Sequence, residues 1–155
     1  MPGLMPLSWP EVLDHLVKLG VAYLLALPIG WVQEREERSA GVRTFPLVAV
    51  ASCGLVLVGA KVLGEDTGAQ ARVLEGLITG IGFIGGGAIL KSGRSVQGTA
   101  TAASIWKVGV IGAAAGHGLH DIAAILSAVN LATLRFLLPL KRAAIESGEA
   151  DRRPS

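Results

Sequence analysis

The sequence predicts an all-α integral membrane protein of about five transmembrane helices, with its N-terminus outside and its C-terminus in the cytoplasm. Three observations predict this class. Hydrophobic residues make up 51% of the 155 residues and charged residues only 17%, against about 25% charged in an ordinary soluble domain, and mean hydropathy is +0.55. The apolar residues fall into five runs, each close to the ~20 residues that a helix needs to cross a ~30 Å hydrocarbon core. Lys and Arg gather in alternate connections between those runs. The 21 glycines suit the same class. Gly costs ~1 kcal/mol in the interior of a soluble helix, but in a bilayer it lets helices approach closely.

The first span is expected near residues 13–32, with Trp9 and Pro10 ahead of it as interfacial aromatic and helix start. The second lies near 45–62, Pro46 falling in its first turn, where proline is tolerated. The third lies near 73–90, the fourth near 99–116, and the fifth near 122–140, closed by Pro139. Residues 1–140 then form one membrane domain. Residues 141–155 form a short charged cytoplasmic tail, read as a frayed helix end followed by disorder. Helices apolar on every face are buried in large cores or in bilayers, and a chain this short has no such core. No positive charge precedes Lys18, so a cleavable signal peptide is not expected.

Orientation follows from the basic residues. Arg35, Arg38, Arg43, Lys91, Arg94, Lys141, Arg142, Arg152 and Arg153 fall on one side, and only Lys61 and Arg72 on the other. The positive-inside rule places the first group in the cytoplasm. An odd number of spans requires the termini on opposite sides, in agreement with the charge.

Several function classes lose support. The net charge of +2 is spread in short clusters with no aromatic-interleaved basic face, so no nucleic acid partner is expected. The lone Cys53 excludes an intramolecular disulfide and reads as a small packing residue. No catalytic constellation appears, so the chain is not expected to be an enzyme or to need a cofactor. Gly80, Gly82 and Gly85 spell GxGxxG, but without the preceding strand or following acid of a dinucleotide site. Ser104 and Lys107 only faintly resemble a Ser-x-x-Lys pair. His117, His120 and Asp121 make an external metal or pH-sensing site conceivable, as does His15 beside Asp14.

Three regions could carry function. The stretch 76–90 is the richest in glycine. Gly76/Gly80 and Gly82/Gly86 are small-xxx-small pairs that favour helix packing, and Gly85–Gly87 could break the span and expose backbone groups. Lys107 sits mid-span, where it costs at least ~2.5 kcal/mol and calls for a partner. Asn130, at similar depth, and Glu75 are the candidates. Arg135 sits in the inner half of the fifth span and can snorkel. The loop after the first span carries Glu34, Arg35 and Arg43. It reads as a solvated extension with Glu34 and Arg38 paired, or as a docking or cation site using Glu34 with Glu36 or Glu37.

Four segments in order resemble the MgtC/SapB family. They are Glu34–Arg35 followed by Ala40-Gly41-Val42-Arg43-Thr44, the run Gly80–Leu90 containing Gly82 and Gly86, then Thr101-Ala-Ala-Ser-Ile-Trp106 with Gly109 and Gly112, and finally Asn130 to Arg135. The resemblance spans most of residues 16–140. It implies a bacterial inner-membrane protein linked to magnesium homeostasis and growth under magnesium limitation. Some members contribute to survival in host cells, and others restrain membrane partners such as the F-type ATP synthase. Many members have an uncharged residue where Lys107 stands, a polar residue near Ala100, and a cytoplasmic C-terminal regulatory domain.

The expectation is a multi-pass protein of the bacterial inner (plasma) membrane that modulates Mg²⁺-linked ion homeostasis through membrane partners, as a homo-oligomer in the lipid bilayer. The alternative is an oligomeric ion or small-molecule transporter. Its polar path would have to use Lys107, Asn130, Thr79 and Glu75, and Lys107 would repel Mg²⁺.

Overall fold

Long apolar runs form helices whose outward faces are as greasy as their inward ones. In a computed structural model the residues described are 8–35, 40–92 and 95–150. Side chains are described for 8–35, 40–91 and 96–136. The elements are α1 (Trp9–Arg35), α2 (Thr44–Leu63), α3 (Thr67–Gly87), β1 (Leu90–Ser92), β2 (Ser95–Gln97), α4 (Thr99–Gly116) and α5 (His120–Ala150). Arg38, Glu36, Glu37, Arg94, Arg152 and Arg153, and with them the expected Glu34–Arg38 pair, lie outside the described residues.

Each of the five predicted spans falls within one helix, with differences at the ends. α3 starts six residues early because Asp66 caps it, its side chain accepting from the Ala69 amide at 2.9 Å. It stops at Gly87, short of the expected Leu90, and no break precedes Gly87. Residues expected to be loop instead form a small antiparallel hairpin pairing Leu90 with Gln97 and Lys91 with Val96. Gly98 turns the chain from that hairpin into α4 at φ 86°, a conformation suited to glycine. α5 runs past Pro139 to Ala150, so the segment taken as tail is helical up to that residue.

α1 and α2 are individually long and apolar enough to cross a bilayer, with mean hydropathies of 1.6 and 2.1. Large apolar side chains face outward all round. Phe83 is 85% exposed, Val62 74% and Leu47 67%, far beyond the scattered apolar surface of a soluble monomer.

α4 is the central helix and packs against α1, α2, α3 and α5. Ten of its 18 residues are buried, against two of 21 in α3. The core is built from Ala22, Ala26 and Ile29 of α1, Phe45, Ala49 and Cys53 of α2, and Ile105, Val108, Ile111 and Ala115 of α4. Small residues dominate, so the backbones come close. A Cβ on Gly112 would strike the Ala49 carbonyl and Ser52, and one on Gly116 would meet Val56 at 2.9 Å. At Gly109 the obstacle is Ile81.

Candidate functional site

Polar residues recur on the buried stripes of three helices, and they meet. α1 buries Ala22, Ala26, Ile29, Gly30 and Gln33, a helical repeat that carries Gln33 to the inside. α4 buries Thr101 and Ser104 on the face toward α1, and α5 brings Asn130. All four are 2–3% exposed. Thr101 Oγ1 donates to Gln33 Oε1 at 3.2 Å, Gln33 Nε2 to Ser104 Oγ at 3.3 Å, and Ser104 Oγ to Asn130 Oδ1 at 3.2 Å. The chain of donors ends at Asn130 Nδ2, which is buried with no acceptor among the described residues. Nearby, Ser127 Oγ donates to the Leu25 carbonyl at 2.7 Å and ties α5 to α1 a second time.

The chemistry of this cluster is that of neutral amides and hydroxyls. It holds no titratable group and no nucleophile. It links α1, α4 and α5 by side-chain hydrogen bonds, at a net ~0.6 kcal/mol per bond in membrane bundles. Leaving any member unpaired costs ~1–3 kcal/mol.

Beside it, residues 40–44 lie against the end of α1. Glu34 Oε2 accepts from the Val42 amide at 2.6 Å. A Cβ on Gly30 would lie 3.0 Å from Val42 Cα, and one on Gly41 would strike Glu34. The two glycines therefore allow Gly41 and Val42 to lie close on the helix. The Gly41 carbonyl accepts from the amides of Thr44 and Phe45, starting α2. Arg35 lies over the Trp31 ring, 5.6 Å from its centroid. Arg43 is exposed.

The structure thus brings Thr101 and Asn130 into one cluster and Glu34 and Thr44 into the adjoining turn. It does not bring Lys107 to Asn130, whose carbonyl oxygen is taken by Ser104. Lys107 is half-buried and makes no ion pair among the described residues, while Glu75 is exposed. Trp106 is 45% exposed and Arg135 is exposed. Gly80, Gly82 and Gly86 do not pack against any helix of this chain. A Cβ on any of them would meet nothing within 4 Å, and the same holds for Gly76. The reason is rotational. α3 seats Ile81 and Gly85 on α4, so the other glycines fall on its flanks, Gly76 and Gly80 lining an outward groove of about 530 Å³ with Leu47 and Leu55 of α2. Among the described residues no three of His, Cys, Asp and Glu converge, so His117, His120 and Asp121 are not brought together as a metal-ligand set.

Residues 19–143 match the MgtC family. The chain is similar to the protein MgtC of Brucella abortus, at 35% identity over 85% of this chain and 55% of that one. It is similar to the protein SapB of Bacillus subtilis, at 35% identity over 75% of this chain and 53% of that one. It is also similar to the protein SrpB of Synechococcus elongatus, at 37% identity over 82% and 76%. The chain spans about half the length of the first two relatives. No solved structure matches it.

Proposed function

This chain belongs to the MgtC family, and from that premise we propose that it is a five-span protein of the bacterial inner membrane, C-terminus in the cytoplasm. It acts in Mg²⁺-linked ion homeostasis by engaging other membrane proteins rather than by conducting ions. The observation that carries this reading is the placement of charge. Every described acidic side chain is exposed: Glu11, Asp14, Glu34, Glu65, Asp66, Glu75 and Asp121. The buried polar side chains among the described residues are all neutral: Gln33, Thr101, Ser104 and Asn130 bond to one another, and Ser52 and Ser127 donate to backbone carbonyls. A cation route needs oxygen ligands facing an open path, and Mg²⁺ is usually held by one or two carboxylates together with retained waters. Here the interior oxygens are occupied as donors' partners, which suits a lock between helices. The outward apolar surface and the excess of Lys and Arg in alternate connections, nine on one side against Lys61 and Arg72 on the other, support the multi-pass arrangement.

The test is Mg²⁺ uptake by proteoliposomes holding an internal indicator dye, with empty vesicles as control and orientation checked by cysteine labelling at Lys61 and Lys91. The expected result is no uptake above control from folded, oriented protein. Saturable uptake that bulky substitutions at Gly82 or Gly86 abolish would overturn this reading in favour of an oligomeric transporter.

A further inference from the structure

We propose that the open strip of α4 carrying Trp106 and Lys107 is the docking site for a transmembrane helix of a partner membrane protein that presents a carboxylate at mid-depth. The proposal rests on the multi-pass reading above and deepens it by naming the surface and the chemistry of the partner.

The strip is defined by what covers the rest of α4. At 100° per residue, Ala102 and Gly109 point to α3, Gly112 and Gly116 to α2, and Thr101 and Ser104 to α1 and α5, as their contacts show. The remaining arc holds Ala103, Trp106, Lys107 and Val110. Ala103 and Trp106 are exposed there, and Lys107 and Val110 are half-buried. One wall is the flank of α3 opposite its α2 groove. Because Ile81 and Gly85 seat on α4, Ile78 and Gly82 stand at the edge of the strip, and a Cβ on Gly82 would meet open space. Small residues on floor and wall permit a close helix approach.

Charge chooses the occupant. Lys107 lies at the midpoint of α4, and none of the seven described acids pairs with it. A mid-span ammonium is costly, and a mid-span carboxylate on another helix carries a similar penalty. Pairing the two offsets part of both penalties. Lipid phosphate is out of reach, since headgroups lie roughly 15 Å from the midplane of a ~30 Å core and a lysine stem spans roughly 6 Å. Among its described residues a second copy offers no acid at the right level. Gly109 packs on Ile81, which puts Lys107 near the height of Ile81. Glu75 is six residues away on α3, about 9 Å further outward.

The probe is a synthetic 21-residue Leu/Ala helix with a central Glu and a terminal quencher, added to the full chain in phosphatidylcholine vesicles. Trp9→Phe and Trp31→Phe leave Trp106 as the sole tryptophan, excited selectively over Tyr23 at the red edge. The expected result is saturable quenching, at least tenfold weaker with a central Gln in the peptide, lost in Lys107→Met and blocked in Gly82→Leu. Lys107→Glu should transfer the preference to a peptide with central Lys. Equal quenching by Glu and Gln peptides, or persistence in Lys107→Met, overturns the proposal. So does Lys107-dependent quenching by brominated phosphatidylglycerol, or Lys107-dependent energy transfer between copies. Phosphatidylcholine brominated at mid-chain separates the two failures. If it does not quench Trp106, the multi-pass reading falls. If it quenches while the peptides show no selectivity, only the docking proposal falls.

Discussion

Helices α3 and α4 are both rich in glycine and use it in opposite ways. In α4, Gly109, Gly112 and Gly116 are closed over by Ile81, by Ala49 with Ser52, and by Val56 with the Cys53 carbonyl. In α3, Gly76, Gly80, Gly82 and Gly86 face open space. Both helices show the same four-residue spacing of small residues. Spacing says that a helix can be approached closely, and only the neighbours say from which side.

The sharpest way to break this contrast is a paired substitution. Gly112→Val puts a branched side chain into a backbone carbonyl that cannot move aside, and overpacking of well-fitted sites costs ~1–3 kcal/mol or more. We expect loss of folded protein in detergent for Gly112→Val. Gly80→Val should melt within ~1 kcal/mol of the parent, since it adds stiffness to an exposed helix face and touches nothing. Equal losses at the two positions would erase the distinction. A smaller effect is expected at the polar cluster. Ser104→Ala leaves Gln33 Nε2 without its acceptor and Asn130 Oδ1 without its donor, for ~1–3 kcal/mol. Thr133→Ala, at an exposed hydroxyl bonded to its own helix, should change stability by under ~0.5 kcal/mol. Comparing the two by thermal unfolding separates a bond between helices from a bond within one.

The smallest effect concerns the end of the bundle where Lys61 of α2 reaches Glu11 of α1 at 3.1 Å. That hydrogen bond and charge, with help from Ser8, hold the Glu11 carboxyl below its ordinary value of 4.5. A depressed carboxyl contributes stability that is fully present above the unfolded value and is lost as pH falls through the folded one. Stability should therefore decline slightly more steeply below pH 4.5 in the parent than in Glu11→Gln. Both partners are exposed, so the difference will be small, and 0.5 M salt should remove it. Parallel pH profiles in low salt would show that the pair contributes nothing.

The helices were legible because their apolar runs are long, but the Asp66 cap that sets the true start of α3 was not read, because it stands in a polar stretch ahead of the apolar run. The hairpin at Leu90–Gln97 was not, because three-residue strands leave no periodicity to read. The polar cluster was half legible. Thr101 and Asn130 stood out, one in a motif and the other as an amide at mid-span. Gln33 did not, because it follows an apolar run and looks like the first solvated residue of a loop. Only its offset from Ala22, Ala26 and Ile29 shows that the helix carries it inward. Ser104 was noticed for its spacing to Lys107, a relation the structure does not use. Which flank of α3 its glycines occupy depends on how the helix is rotated against α4, and that is set by long-range packing.

The central place of α4 has a consequence for biogenesis. Its seat on α2, the Ala49 carbonyl that Gly112 covers, is made about sixty residues earlier in the chain. At roughly 5–20 residues per second of synthesis, that seat waits several seconds for its occupant. α1 and α2 can meet as a hairpin in the interval, but Gln33 has neither Thr101 nor Ser104 to bond. The nascent chain therefore carries an unfilled notch and a lone amide until its fourth helix emerges. Over that interval a chaperone or insertase has a defined surface to shield.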